Sequence, residues 1–365
     1  EDAIACYQQA LRVFTFEAFS EKWAITQNNF GNAYRDRIKG EKAQNIEEAI
    51  ACFEQALTVI TFEAFPEAWA RTKTNLGAAY RNRIKRQKAQ NLEKAITCFQ
   101  QALTVYTFEA FPEYWVSIQM NLGAAYYHRI KGEKAQNIEE AIACYQQALK
   151  VRTFEAFPED WAQTQTTLGI VYLERIKGQK AQNIEKAIAF FQQALTVYTF
   201  EAFPEDWAQT QTTLGIVYLE RIKGKKTQNI EKAIAFFQQA LTVYTFKAFP
   251  QDWARTQTTL GIVYLERIKG KKTQNIEKAI VCFQQALTVI TFEAFPKDWA
   301  RTQTNLGNAY RNRIKGKKTQ NIEKAIACYQ QALTVYTFEA FPQDWTITRN
   351  NLNLAYRKRI KGEKA

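Results

Sequence analysis

Apolar residues recur at three- and four-residue spacing in two kinds of segment that alternate along the chain. The first kind starts at Pro296, which suits the opening position of a helix because proline lacks an N–H. Asp298 follows in the first turn, where the helix dipole favours negative charge. Glycine at 316 is expected to end the helix in a left-handed conformation. We call this helix A, and its apolar face comprises Trp299, Gln303, Leu306, Tyr310 and Ile314.

The second kind of segment predicts a second helix, helix B. Asn321 is expected to cap it. Its apolar face is formed by Ile322, Ala325, Ile326, Tyr329, Ala332 and Leu333. The segment "TFEAFP" then leads to the next proline, and no stretch alternates as a strand would. The pattern therefore predicts an all-α protein.

The pair of helices returns every 46 residues, and the 26 letters of Thr153–Gly178 recur unchanged at Thr199–Gly224. Such a period is typical of stacked supersecondary units. We therefore predict a single α-solenoid of helix-turn-helix repeats rather than separate domains. Its eight units span 1–44 (partial), 45–90, 91–136, 137–182, 183–228, 229–274, 275–320 and 321–365 (partial).

Two motifs in each unit resemble the tetratricopeptide repeat (TPR). These are "LG-x2-Y", at Leu306, Gly307 and Tyr310, and "A-x3-[FY]-x2-A", which begins at Ala325. The period is longer than the usual ~34 residues, and the tryptophan lies one turn earlier than in the motif. The resemblance implies a right-handed superhelix that binds a protein or peptide in a concave groove lined by helices A. The repeat sequence is also similar to that of arrays in cyanobacterial signalling proteins. In those proteins the repeats form the sensor beside a caspase-like (CHAT) protease or a nucleotide-binding switch domain.

The groove positions implied by the resemblance are those that vary most between the copies. Outer copies place polar groups there, and the three middle copies place an isoleucine and a leucine. The predicted partner-binding residues are Asn28, Asn32, Arg35, Arg81, Ile170, Leu173, Ile216, Leu219, Ile262, Leu265, Asn308, Arg311 and Arg357. The alternative is that neighbouring helices A bury these isoleucines and leucines against each other, so that they are not available to a partner.

Composition argues against catalysis. The only histidine, His128, stands where other copies carry surface residues, so we interpret it as a surface substitution. "GKKT" lacks the earlier glycine of a phosphate-binding loop, and the paired acids at helix starts diverge. We therefore predict a non-enzymatic protein with no cofactor and no metal site.

The cysteines each occupy the same position in a repeat, which Phe190 and Phe236 fill in two copies. This predicts buried core thiols in a reducing compartment, the cytoplasm. The six cysteines are Cys6, Cys52, Cys98, Cys144, Cys282 and Cys328. No run is long and apolar enough to span a membrane.

The formal net charge of +13 is concentrated in the loops between helices A and B. Stacked repeats would align these loops on one edge, carrying Lys39, Lys85, Lys131, Lys177, Lys223, Lys269 and Lys315. Binding of nucleic acid or an anionic surface along this edge is therefore a second hypothesis, although stacking platforms for nucleic acid need exposed aromatic residues. A purely structural spacer is a third.

The first and last helices lack a partner helix of their own unit. Unpaired apolar faces favour association, so we expect them to be covered by further repeats of a longer protein or by self-association. They carry Ile4, Tyr7 and Leu11 at one end and Trp345, Leu352 and Tyr356 at the other.

Overall fold

The computed structural model describes residues 1–84 and 87–363, with side chains described as far as residue 359. Within these ranges the chain forms sixteen α-helices and no β-strand. In chain order they are α1 (Asp2–Val13), α2 (Ser20–Arg35), α3 (Lys42–Ala56), α4 (Pro66–Asn82), α5 (Lys88–Ala102), α6 (Pro112–Tyr127), α7 (Lys134–Ala148), α8 (Pro158–Leu173), α9 (Lys180–Ala194), α10 (Pro204–Glu220), α11 (Lys226–Val243), α12 (Pro250–Glu266), α13 (Lys272–Ala286), α14 (Pro296–Asn312), α15 (Lys318–Leu333) and α16 (Pro342–Glu363). Even-numbered helices are helices A and odd-numbered helices are helices B. The predicted all-α array of tandem helix-turn-helix repeats is confirmed.

The chain divides into two compact units, Glu1–Ala194 and Leu195–Ala365. In the first unit, α2, α4, α6 and α8 each pack against the helix B that follows, and α1 packs against α2. In the second unit, α10, α12 and α14 do the same, and α16 packs against α15. Each helix A also contacts the helix B before it in its unit. Inside each unit, a repeat with a neighbour on both sides therefore buries apolar faces against both of them, which is how a solenoid is stabilised.

The segment "TFEAFP" forms a compact turn that starts helix A. In the repeat containing α10, Thr199 Oγ1 accepts a hydrogen bond from the Ala202 N–H at 3.2 Å. The Phe203 N–H donates to the Thr199 carbonyl at 3.0 Å, and Phe203 then precedes the proline that opens the helix. The ring of Phe200 packs edge-on against Trp207, with ring centroids 5.5 Å apart. The predicted helix start at proline is confirmed.

Glycine in the middle of helix A allows helix B to approach closely. At each of the seven positions from Gly31 to Gly307, an added Cβ would lie 2.6–2.9 Å from a ring atom of the aromatic residue on the following helix B. For Gly215 that residue is Phe237, which is fully buried. The glycine therefore fixes the distance between the two helices of a repeat.

Helix A ends earlier than predicted. α14 stops at Asn312, and Arg313 adopts an extended conformation with φ −65° and ψ 130°. Ile314, predicted to lie on the apolar face, is carried off the helix and is 60% exposed. Gly316 has the expected left-handed φ of +85°, but it lies in the loop rather than at the helix end. The prediction for Ile314 was wrong because the helical spacing continues in the sequence beyond the last helical residue.

The predicted capping role of Asn321 was also wrong. α15 begins at Lys318, and Lys317 precedes it without a side-chain cap. Asn321 lies inside the helix, where its buried side-chain amide donates to the Lys315 carbonyl at 3.0 Å and the Arg313 carbonyl at 3.5 Å. The asparagine therefore holds the preceding loop against helix B. The same pair of bonds is made by Asn45, Asn137, Asn183, Asn229 and Asn275.

Candidate functional site

Consecutive helices A lie close together within each unit. α2 contacts α4 and α4 contacts α6 in the first unit, and α12 contacts α14 and α14 contacts α16 in the second. In the part of the chain that the structure describes, no two consecutive helices B make a comparable contact. These contacts place α2, α4 and α6 side by side in the first unit, and α12, α14 and α16 in the second.

The predicted apolar positions remain partly open to solvent. Ile170 on α8 is 42% exposed and Ile216 on α10 is 44% exposed. The other members of the set, Leu173, Leu219, Ile262 and Leu265, are half-buried. These side chains are therefore not completely buried between neighbouring helices, as the alternative would require. In the second unit, α10 and α12 each present one isoleucine and one leucine.

Three of the predicted arginines join neighbouring helices A. Each donates a hydrogen bond from Nη1 to an asparagine carbonyl oxygen 40 residues later, at 2.8–3.2 Å. The pairs are Arg35–Asn75, Arg81–Asn121 and Arg311–Asn351. Because asparagine is neutral, these bonds orient the guanidinium without cancelling its charge.

The asparagine partners of these arginines were not predicted from the sequence, although a comparison of the copies could have indicated them. Copies with arginine at this position are followed 40 residues later by asparagine. Where the first residue is Tyr127 or Leu219, the residue 40 positions later is Thr167 or Thr259. The two positions change together in all but one copy, the exception being Leu265, which is followed by Asn305.

The remaining polar residues of the predicted set differ in accessibility. Asn28 is 2% exposed, and its carbonyl oxygen accepts a hydrogen bond from Asn75 Nδ2 at 3.3 Å, so it joins helices rather than facing the groove. Asn308 is half-buried and accepts a hydrogen bond from the Tyr329 hydroxyl at 2.8 Å. Asn32 is half-buried, and Arg357 is exposed.

A cleft of about 430 Å³ lies beside Arg81 in the first unit. Its lining comprises Arg81, Asn82, Lys88, Leu92, Ala124 and His128. Burial lowers the pKa of the Arg81 guanidinium. Burial also lowers the pKa of the His128 imidazole, and the charges of Lys88 and Arg81 add to the effect. His128 is exposed, as predicted for a surface substitution.

Five of the cysteines are buried, as predicted, and they are Cys52, Cys98, Cys144, Cys282 and Cys328. Burial raises the pKa of the Cys98 and Cys282 thiols to about 11 and that of the other three to about 12, so all five are protonated at neutral pH. Cys6 contradicts the prediction because it is exposed on α1, which no preceding repeat covers in this structure. Among the described residues, no group of His, Cys, Asp or Glu side chains could hold a metal ion.

The loops between helices A and B carry exposed lysines at one position of each repeat. They are Lys39, Lys131, Lys177, Lys223, Lys269 and Lys315, whereas Lys85 lies outside the described residues. The arginine two residues earlier pairs with a glutamate on the helix B of the preceding repeat, which keeps the loops of a unit in one register. The pairs include Arg83–Glu47, Arg129–Glu93, Arg175–Glu139, Arg267–Glu231 and Arg313–Glu277. We call the set of these loops the basic edge.

A family model for the Sel1 repeat matches most of the array. The matched segments are residues 27–58, 73–104, 118–150, 163–196, 209–242, 256–288 and 300–334. The chain belongs to the Sel1 repeat family. Each match starts within a helix A and ends at or shortly after the following helix B, so the Sel1 repeats coincide with the helical pairs. The predicted relation to TPR proteins holds at the level of the TPR-like fold.

Several solved structures are similar to this Sel1 array. The C-terminal part of a TPR repeat-containing protein from Cytophaga hutchinsonii matches with a TM-score of 0.51 and 13% identity, over 86% of this chain and 95% of that one. BtubC from P. vanneervenii matches with a TM-score of 0.50 and 19% identity, over 67% and 90%. The APC/C hetero-tetramer Cut9–Hcn1 matches with a TM-score of 0.48 and 14% identity, over 93% of this chain but only 56% of the matched chain. The two similarities with TM-scores of 0.50 and 0.51 show the fold alone.

A search of curated proteins found no match to the sequence. In the described residues, no helix is long and apolar enough to cross a membrane.

Proposed function

We propose that this Sel1 array is a non-enzymatic scaffold that binds a peptide or helical segment of another protein along helices A. The observation that carries the proposal is the solvent exposure of Ile170 on α8 and of Ile216 on α10, both of which are helices A. Burying a side chain of this size against a partner contributes roughly 1.5–3 kcal/mol. The half-buried leucines beside them, Leu173 and Leu219, extend each apolar surface along the helix.

Charge supports a partner with acidic groups beside an apolar centre. Arg81 and Arg311 bond to neutral asparagines, so their positive charge is not compensated by those contacts. Burial lowers the pKa of Arg81, which means that its charge is partly removed from water. A carboxylate placed beside such a group interacts more strongly than it would in bulk solvent.

The similarity to signalling arrays extends the proposal. We propose that the chain is the sensor or interaction part of a larger cytoplasmic protein in a bacterium. Its groove would then engage either a separate protein or a segment of the same polypeptide. No residue of this chain is assigned an effector activity.

The proposal is tested by selecting peptides from a phage-displayed random library against the intact chain. We expect the selected peptides to combine an apolar centre with acidic residues. They should bind the double variant Ile216→Asp, Leu219→Asp at least roughly ten-fold more weakly, because two charges replace apolar contact surface. The matched control is Ile222→Asp, Ile268→Asp, which introduces the same two charges at exposed isoleucines outside the groove. Peptides that bind the double variant as well as the original chain would contradict a groove on α10.

Salt dependence separates this function from binding at the basic edge. Contacts with phosphate give an affinity that falls steeply as salt rises. An apolar groove gives a shallow dependence. Failure of the library to yield any specific peptide would favour the structural spacer.

A further inference from the structure

One isoleucine in each A–B loop is exposed on the basic edge. Seven such residues are 57–98% exposed, namely Ile38, Ile84, Ile130, Ile176, Ile222, Ile268 and Ile314. Each follows the paired arginine directly and precedes a lysine or, at Ile84, a residue outside the described part. The same residue type is thus exposed at the same place in these seven loops.

The loop that presents the isoleucine is held in one conformation. In the second unit, Arg267 Nε and Nη2 both donate to the carboxylate of Glu231 at 2.7 Å. Asn275 donates to the carbonyls of Arg267 and Lys269, at 3.2 and 3.0 Å, on either side of Ile268. Gly270 completes the turn with a φ of +83°. Ile268 is therefore displayed by a braced loop rather than exposed by disorder.

The basic groups around the isoleucine are of two kinds. The arginine is neutralised by its glutamate partner. The lysines that follow, Lys269, Lys271 and Lys272, are exposed and form no ion pair in the part of the chain that the structure describes. This loop of the basic edge thus presents uncompensated lysines beside an apolar side chain.

We propose that the basic edge of each unit docks on an anionic lipid bilayer, with the isoleucines inserted among the acyl chains and the lysines at the headgroups. Peripheral membrane binding combines these two contributions, apolar burial at the interface and attraction to anionic lipid. Nucleic acid would use the lysines, but it would leave the isoleucines in water. Single strands are bound in addition by stacking of bases on exposed aromatic rings, and the "RIKG" loops carry none.

The surface differs from the groove on helices A, so the two proposals stand or fall separately. The test is co-sedimentation of the full chain with vesicles of equal parts phosphatidylcholine and phosphatidylserine, compared with vesicles of phosphatidylcholine alone. We expect binding to the anionic vesicles only. The variant Ile222→Ser, Ile268→Ser, Ile314→Ser keeps every charge and should bind roughly ten-fold more weakly. The variant Lys223→Gln, Lys269→Gln, Lys315→Gln should also bind more weakly.

A matched control removes three exposed apolar residues from the opposite ends of the helices. Phe200→Ser, Phe246→Ser, Phe292→Ser changes side chains that are 45–56% exposed and should leave vesicle binding unchanged. The groove variant Ile216→Asp, Leu219→Asp should also bind vesicles normally. Circular dichroism melting confirms that each variant is folded.

Two results would overturn the proposal. One is equal vesicle binding by the isoleucine variant and the original chain, because the lysines alone would then account for the binding. The other is binding to duplex DNA without binding to anionic vesicles, which would make the edge a nucleic-acid surface.

Discussion

At the scale of single residues, the distance between two helices of a repeat is set by a glycine facing an aromatic ring. Gly215 lies where an added Cβ would be 2.8 Å from two ring carbons of Phe237. Because Phe237 is fully buried, its ring has little freedom to move aside. Glycine is unfavourable in a helix, so its presence here reflects packing rather than local preference.

The substitution Gly215→Ala tests whether helix preference or packing dominates at this position, because the two change the stability in opposite directions. Alanine alone would stabilise the helix by about 1 kcal/mol, whereas overpacking costs about 1–3 kcal/mol. We expect a net loss, measured as a lower urea midpoint by circular dichroism. In a Phe237→Leu background, which makes room for the methyl group, Gly215→Ala should lower the midpoint by less than it does in the original chain. A higher midpoint for Gly215→Ala alone would show that the helices are not held at contact distance.

At the scale of elements, the A–B loop is organised from inside the following helix. Asn229 lies within α11, and its side-chain amide donates to the carbonyls of Arg221 and Lys223, at 3.1 and 3.0 Å. Gly224 takes up the left-handed conformation that closes the turn. A buried amide that bonds to two main-chain carbonyls fixes both the loop and the point at which helix B begins.

Asn229→Ala removes both of these bonds. We expect a loss of stability of about 1–3 kcal/mol, because two carbonyls lose their partner near the protein interior. Hydrogen exchange of residues 221–226 should accelerate, since the loop is no longer held. Gln228→Ala, at an exposed neighbouring position, is the control and should change neither quantity. Unchanged exchange in Asn229→Ala would mean that Gly224 and the arginine–glutamate pair suffice to order the loop.

At the scale of the whole molecule, the same ion pair recurs between repeats in both units. Hydrogen bonding to arginine lowers the pKa of Glu93, Glu139, Glu231 and Glu277 from the ordinary value of 4.5. A carboxyl group with a lower pKa in the folded state stabilises the fold above its unfolded pKa. That contribution is lost as the pH falls through the folded-state value. Because the pairs join one repeat to the next, their contributions accumulate along a unit.

We therefore expect the urea midpoint to fall when the pH is lowered from about 6 to about 3. The double variant Glu139→Gln, Glu231→Gln should show a smaller fall, because two of the linked carboxylates are absent. Glu155→Gln, Glu201→Gln is the matched control, with one exposed glutamate changed in each unit, and it should retain the full pH dependence. An identical pH profile for both double variants would contradict a stabilising role for the inter-repeat pairs.

The sequence by itself determined the local elements of this protein. Helical spacing, the proline at each helix start and the 46-residue period predicted the repeating pair of helices. These features act between residues that are close in the chain, where spacing alone decides which side chains share a face. The sequence also indicated that the glycine of helix A has a packing role. All copies carry glycine at this position except one, in which Asn353 replaces it.

Only the tertiary structure decided which distant residues meet. Arg311 pairs with Asn351 and Asn28 with Asn75 because neighbouring helices A lie side by side, and no local period encodes that contact. Ile314 continues the apolar spacing of helix A in the sequence, yet it is exposed because the chain leaves the helix after Asn312. The helix end is set by Asn321, a buried amide that holds the loop carbonyls from the next helix. Helical spacing in the sequence indicates which residues would share a face of a continuous helix. Contacts with other parts of the structure determine where that helix ends.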